Sequence, residues 1–184
     1  MRILSGILKF KRVKSIQDKK LRPTSNKVRQ ALFNVLLSKY DWKSWAHKTH
    51  LLDAFAGTGI ISLEAFSRNL KEATLFEKEK IIFLTLKSNM LQLNLENKVK
   101  LLNNDFFNIT LEKKAFNLVY LDPPYHQNLM DMAINKILDE KALKKTSILV
   151  CETKKNYQFN KELHKYINLT KTYGKTSLTF FKFY

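Results

Sequence analysis

The stretch "FNLVYLDPPYHQN", residues 116–128, places an aspartate, two of the chain's three prolines and a tyrosine directly after an apolar run. Pro124 forces residue 123 into an extended conformation, and both rings fix φ. With two N–H groups missing the strand ladder cannot continue, so the segment turns rigidly off the strand's end. Tyr125 can then stack on a planar base, a contact worth about 1–3 kcal/mol in nucleic-acid sites. Taken alone, the same residues could be a proline-terminated strand with a surface tyrosine. The acids elsewhere in the chain decide between the two.

Each of the first four apolar runs ends on an acid: Asp53, Glu77, Asp105 just past its run, and Asp122. Right-handed crossovers keep parallel strands in one sense, so four such strand ends emerge at one edge of a sheet, where open α/β sheets bind ligands. "DAFAGTGIISLE" adds Gly57 and Gly59, half of the chain's four glycines. They allow a sharp strand-to-helix turn and close approach of a ligand. No Gly-Lys-Ser/Thr follows, which excludes a Walker loop, and Ser62 stands where a dinucleotide fingerprint needs its third glycine. Glu77 lies 18 residues after Gly59, at the end of the next run, where a carboxylate can accept both hydroxyls of a ribose. An adenosine without a pyrophosphate fits this pattern, which describes S-adenosylmethionine.

The elements that must position these groups follow from hydrophobic period. Strands are expected at "THLLDAF", "EATLFE", "KVKLLNN", "FNLVYLD" and "SILVCET", and helices at "GIISLEAFSRNL", "KEKIIFLTLKSNMLQLN" and "NLMDMAINKIL", with a short helix near "FFNITLEK". Nearly continuous apolar strands alternating with helices argue for a mainly parallel sheet covered on both faces. The tail "INLTKTYGKTSLTFFKFY", with its turn signal at Gly174, reads as a final antiparallel hairpin. At the start, "RILSGILKFKRVKSI" alternates apolar and basic residues around Ser5-Gly6 as a hairpin would. A helix capped by Thr24 or Ser25 follows, and "DWKSWAHK" is a polar connection.

With 184 residues, 45% of them hydrophobic, one domain with a substantial core is expected. No apolar stretch is long enough to span a bilayer, and charge interrupts the first residues too early for a signal peptide. Cys151 has no partner for a disulfide, and the histidines show no metal-ligand spacing, so a metal-free cytoplasmic protein is expected. The net charge of +17 is uneven. Residues 1–48 hold 13 Lys/Arg against 2 Asp/Glu, a net of +11, whereas residues 49–184 hold 20 against 14, a net of +6. Concentration of this kind favours a polyanion-binding N-terminal extension on a catalytic core, 49–184.

"LLDAFAGTG", "LFEKE", the acid of "NNDFF" and "LDPPY" resemble, in order and spacing, the class I S-adenosylmethionine-dependent methyltransferases. The resemblance implies a Rossmann-like seven-stranded sheet. Asp53, Phe55, Gly57 and Gly59 would border the methionine part of the cofactor, Glu77 the ribose, and Asp105 the adenine amino group, with Phe106 against the ring. The Asp-Pro-Pro-aromatic motif is similar to that of enzymes methylating an amino nitrogen conjugated to a ring or carbonyl. Such a nitrogen is a poor nucleophile. Acceptors aimed at its hydrogens, here the Asp122 carboxylate and the Pro123 carbonyl, favour the pyramidal form that attacks. Pro124 and Tyr125 complete that catalytic set.

"MRILSG", "LRPTSNKVRQALFNVL" and the late "YGKT" extend the resemblance to the RsmD-type enzymes over nearly the whole chain. That family implies methylation of a guanine N2 in 16S ribosomal RNA, on the 30S subunit or its assembly intermediate; a monomer is the default expectation. Arg22 and Thr24 would then face the cleft, and Arg2, Lys9, Lys11, Arg12, Lys14, Arg22, Lys27 and Arg29 would grip phosphates. Neutralising about five of these gives a log–log salt slope of roughly −3.5 on single-stranded RNA. The alternatives are a DNA adenine-N6 methyltransferase, which lacks room here for a sequence-reading module, a protein-amide methyltransferase, and a non-catalytic RNA-binding assembly factor.

Overall fold

The computed structural model describes residues 1–16, 24–124 and 128–183; Arg22, Tyr125 and His126 lie outside the described residues. The expected apolar runs become β1 (His50–Asp53), β2 (Glu72–Phe76), β3 (Val99–Leu102), β4 (Phe116–Leu121) and β5 (Leu143–Lys154), which pair in parallel. The tail forms β6 (Ile167–Tyr173) and β7 (Thr176–Phe181), antiparallel to each other, with β7 also antiparallel to β5. One sheet results, in the order β3-β2-β1-β4-β5-β7-β6. The β6–β7 turn has Gly174 at φ +64°, a left-handed conformation that favours glycine.

The two-residue period of the strands divides the core into two layers. Leu51, Leu118, Tyr120, Val150 and Phe180 face one cluster, while Leu52, Val119, Leu121, Leu149 and Phe181 face the other. The helices α1 (Asn26–Lys39), α2 (Trp42–Trp45), α3 (Ile60–Phe66), α4 (Lys80–Gln92) and α5 (Leu129–Asp139) supply the covers. Met130, Ala133, Ile134 and Ile137 of α5 recur at helical spacing and fill the second cluster. Val28, Leu32 and Leu36 of α1 join Leu63 of α3 and Leu86 of α4 in the first. Ile3 and Val13 lie in that cluster too, so the basic N-terminal segment shares its core with the sheet.

Several local expectations are refined. Ser25, not Thr24, caps α1, its hydroxyl accepting the Val28 N–H at 3.2 Å. Helix α3 stops at Phe66, and Asn69 then takes φ +68°, a left-handed turn in place of a further helical turn. The short helix at "FFNITLEK" contracts to a 3-10 turn over Phe106–Asn108. The N-terminal hairpin contracts to one antiparallel bridge, Arg2 to Arg12. Its loop is tied to α3 instead: Ile7 N–H donates to the Ser67 carbonyl at 2.8 Å and Leu8 N–H to the Ser67 hydroxyl at 2.9 Å. Gly6 makes this seating possible, since a Cβ there would lie 1.8 Å from the Ser67 carbonyl oxygen.

Candidate active site at the carboxyl edge of the sheet

Parallel pairing brings the four acids to one edge in the spatial order Asp105, Glu77, Asp53, Asp122, spread over about 14 Å at the usual strand spacing. Asp53 closes β1 opposite Leu75 of β2 and Tyr120 of β4. Glu77 follows β2 directly, its N–H donating to the Leu102 carbonyl at 3.1 Å.

Asp53 is wholly buried. Its Oδ2 accepts the Ser62 hydroxyl at 2.8 Å, and its Oδ1 has no hydrogen-bond partner. Burial raises its pKa from 3.8 to about 7; the Ser62 hydroxyl opposes this, while the neighbouring Glu77 charge adds to it. A buried acceptor with an unused oxygen suits a donor or cation arriving at this edge. Glu77 takes the Gly57 N–H at 3.0 Å on one oxygen and the Glu79 N–H at 2.8 Å on the other. Its pKa is raised by burial, which those two N–H groups partly offset.

The two loop glycines differ in purpose. Gly57, at φ +54°, presents its N–H to Glu77. Gly59 takes φ +81°, a conformation that favours glycine, and a Cβ there would lie 2.5 Å from Leu86 Cδ1 and 2.7 Å from Met90 Cε, so those side-chain ends would have to shift. Its bare Cα lets Leu86 and Met90 of α4 pack against the start of α3.

Asp105 caps the 3-10 turn, its Oδ1 accepting the Phe107 N–H at 3.0 Å, with Lys78 Nζ 3.9 Å from its other oxygen. Phe106 is buried behind this turn, edge-on to Phe76 with ring centroids 5.3 Å apart. The half-buried rings beside Asp105 are Phe55 and Phe107, 6.3 Å apart. Phe106 packs against both of them, its ring centroid 5.8 Å from that of Phe55 and 5.5 Å from that of Phe107.

After Leu121 the chain leaves the sheet through half-buried Asp122, buried Pro123 and exposed Pro124. Tyr120 hydrogen-bonds the Glu152 carboxylate, both groups being buried. Burial drives the Tyr120 pKa far upward, followed by the charges of Glu152, Asp122 and Asp53. One phenol thus senses the acids on both sides of it.

The cations of the N-terminal segment divide sharply. Arg2, Lys9, Lys11, Arg12, Lys14 and Lys27 are exposed, and Thr24 is half-buried. Arg29 corrects the expectation of a phosphate-gripping residue: its side chain is 1% exposed, with one amine 3.0 Å from Glu64 Oε1, and Glu64 is fully buried. Glu64 also takes the Leu4 N–H at 2.9 Å and Arg68. Desolvation lowers the Arg29 pKa, and the Glu64 charge counters it. Arg29 fastens the segment to α3 and cannot reach a ligand in solution. No group of His, Cys, Asp and Glu among the described residues could hold a metal ion.

The family model described as "Conserved hypothetical protein 95" matches residues 1–182. Ribosomal RNA small subunit methyltransferase D of Buchnera aphidicola is 38% identical over 83% of this chain and 78% of its own length. The chain belongs to the RsmD family. The enzyme of the same name from Haemophilus influenzae is 31% identical over 85% of this chain and 80% of its own. The structure of HI0767 from that organism superposes with a TM-score of 0.79 at 27% identity, covering 98% of this chain and 96% of the other. An RNA methyltransferase of Salinibacter ruber, solved with S-adenosyl-L-homocysteine, shares the fold at 14% identity and a TM-score of 0.64, covering 87% and 92% of the two chains.

Three features of this RsmD-family chain escape sequence reasoning. Tyr120 reads as ordinary β4 core, and nothing in its run marks it as the partner of Glu152, which lies within β5. Phe107 is hidden by its neighbour in "DFF". Asn89 lies buried in α4, where its amide donates to the Lys14 carbonyl at 3.1 Å and to the Thr58 carbonyl at 2.9 Å, linking the basic segment to the glycine loop. Nothing in local periodicity marks an asparagine for that task.

Proposed function

We propose that this protein methylates the exocyclic N2 of a guanine in 16S ribosomal RNA, acting as a cytoplasmic monomer on the 30S subunit or its assembly intermediate. The observation carrying the proposal is the juxtaposition of Asp122 and Pro123, at the end of β4, with the buried Asp53 and the Glu77–Gly57 loop on the adjoining strands. The site fits S-adenosylmethionine: Asp53 keeps an oxygen unpaired, Glu77 offers a carboxylate at the loop, and Phe55 and Phe107 give half-buried aromatic surface. When bound, the cofactor supplies an electrophilic sulfonium methyl.

Asp53, Phe55, Gly57 and Gly59 would border its methionine part, Glu77 its ribose and Asp105 its adenine amino group. Phe106 supports this surface from beneath. Asp122 and the Pro123 carbonyl accept hydrogen bonds from the target amine and hold its lone pair toward the methyl. Pro124 fixes the corner. Tyr125, outside the described residues, is proposed from sequence to stack on the base. The guanine must be unpaired or flipped to reach Asp122. Exposed Arg2, Lys9, Lys11, Arg12, Lys14 and Lys27 would grip phosphates; Arg22 joins them on sequence grounds alone, and Thr24 lines the approach.

The test compares methyl transfer from labelled S-adenosylmethionine to 30S subunits, free 16S RNA and duplex DNA, with the product nucleoside identified by mass spectrometry. N2-methylguanosine in the ribosomal samples is expected. N6-methyladenine in the DNA, or no transfer to any substrate despite cofactor binding, would overturn the reading.

A further inference from the structure

Residues 1–16 contain five cations and no acid, and two large apolar side chains stand out of this basic segment: Ile7 is 75% exposed and Phe10 67%. Leu8 between them packs on the core, so the loop turns one apolar residue inward and two outward. Phe10 has φ +69°, a backbone conformation that bulky residues rarely adopt and glycine tolerates freely. Core packing does not explain its presence, because the ring belongs to neither hydrophobic cluster. An unfavourable backbone held at an exposed aromatic points toward function.

The loop is also built to stay in place. Ser67 accepts the Ile7 and Leu8 N–H groups, Gly6 sits flush against its carbonyl, and the Phe10 N–H donates to the Ile3 carbonyl at 2.9 Å. Lys9 Nζ stands 4.7 Å from the Phe10 ring centroid. Cation and ring together match a nucleotide, the ammonium for phosphate and the ring for the base.

We propose that Phe10, flanked by Ile7 and Lys9, is a rigid stacking platform for an unpaired base of the bound RNA. This rests on the reading of the substrate as RNA, and charge complementarity selects the occupant: Arg2, Lys9, Lys11, Arg12 and Lys14 of the same segment are all exposed. The loop docks at Ser67, the C-terminal end of α3, about 12 Å along the helix from Gly59, and the segment then returns to the glycine loop at Lys14, whose carbonyl shares the Asn89 amide with the Thr58 carbonyl. A base seated here leaves the target nucleotide to Asp122 and helps set which part of the RNA reaches it.

The test measures binding of a fluorescein-labelled single-stranded RNA to the full chain and to Phe10→Gly, Phe10→Ala and Phe10→Leu, across a salt series. Phe10→Gly relieves the positive φ, so it should melt no lower than wild type. All three should bind RNA about tenfold more weakly, within the range for a lost base–aromatic stack, with the salt slope unchanged because no phosphate contact is touched. Lys11→Ala should instead flatten the slope by roughly 0.7. RNA affinities within twofold of wild type for Phe10→Gly and Phe10→Ala, or full retention by Phe10→Leu, would overturn the proposal. So would a loss confined to phosphatidylcholine–phosphatidylglycerol vesicles, which would make the loop a membrane contact. If wild type methylates ribosomal RNA and the variants bind it normally, this inference alone fails; if wild type neither binds nor methylates RNA, the functional reading fails and takes the platform with it.

Discussion

The Gly57 N–H donates to the Glu77 carboxylate at 3.0 Å, tying the loop after β1 to the acid after β2. The other Glu77 oxygen takes the Glu79 N–H, so one side chain fixes two backbone segments. Hydrogen bonds to charged groups contribute about 1.5–3 kcal/mol each. Glu77→Ala should therefore lower unfolding free energy by about 2–4 kcal/mol and weaken S-adenosylmethionine binding at least ~10-fold. Glu77→Gln should fall between the two. Calorimetric titration showing wild-type affinity for the alanine variant would remove Glu77 from the ribose site.

Asp53 gives a pH signature. The folded chain holds a proton on this carboxyl up to about pH 7, whereas its ordinary value is 3.8. Between those values the native state binds more protons, so stability from this group is present at low pH and is lost as pH rises through the window. The full difference is on the order of 4 kcal/mol. Asp53→Asn cannot ionise, and its stability relative to wild type should climb with pH across that window in denaturant titrations. A pH-independent difference would contradict the placement.

Asp122 should separate chemistry from binding. Asp122→Ala is expected to slow methyl transfer at least ~100-fold, as for lost electrostatic contacts to a reacting group. Its affinity for S-adenosylmethionine should stay within about threefold of wild type, since Asp122 lies beyond the Asp53–Glu77 loop. Single-turnover rates with saturating cofactor make the measurement. Near-normal turnover would sink the orienting role.

Glu64 sits between the Arg29 and Arg68 guanidinium groups. Removing it leaves two desolvated cations without their counter-charge, which typically destabilises by about 3–5 kcal/mol. Glu64→Ala should lose that much in chemical denaturation and release the Leu4 amide to fast hydrogen exchange. Slow exchange at Leu4 would mean that the segment docks by other means.

The sheet was readable because continuous apolar runs alternate with amphipathic ones, and each parallel run needs a covering helix on either side. The gathering of Asp53, Glu77, Asp105 and Asp122 at one edge was readable because they stand at run ends, and topology alone brings run ends together. What stayed hidden depends on partners distant in the chain. Arg29 looks like any exposed cation of a basic helix until Glu64, 35 residues later, is brought beneath it. Gly59 reads as a glycine of the strand-to-helix turn, and its packing against Leu86 and Met90 of α4 is visible only in the fold. The docking of the Ile7–Leu8 loop on Ser67 is likewise something no alternation within residues 1–15 can announce.

The last strand in chain order, β7, lies between β5 and β6 and carries ladder bonds on both sides. Since β6 pairs with β7 and not with β5, β5 presents an unpaired rim until β7 docks on it with β6 at its far side. A nascent chain stalled before Thr176 would carry that rim bare, an edge prone to aggregation even with the five parallel strands already assembled.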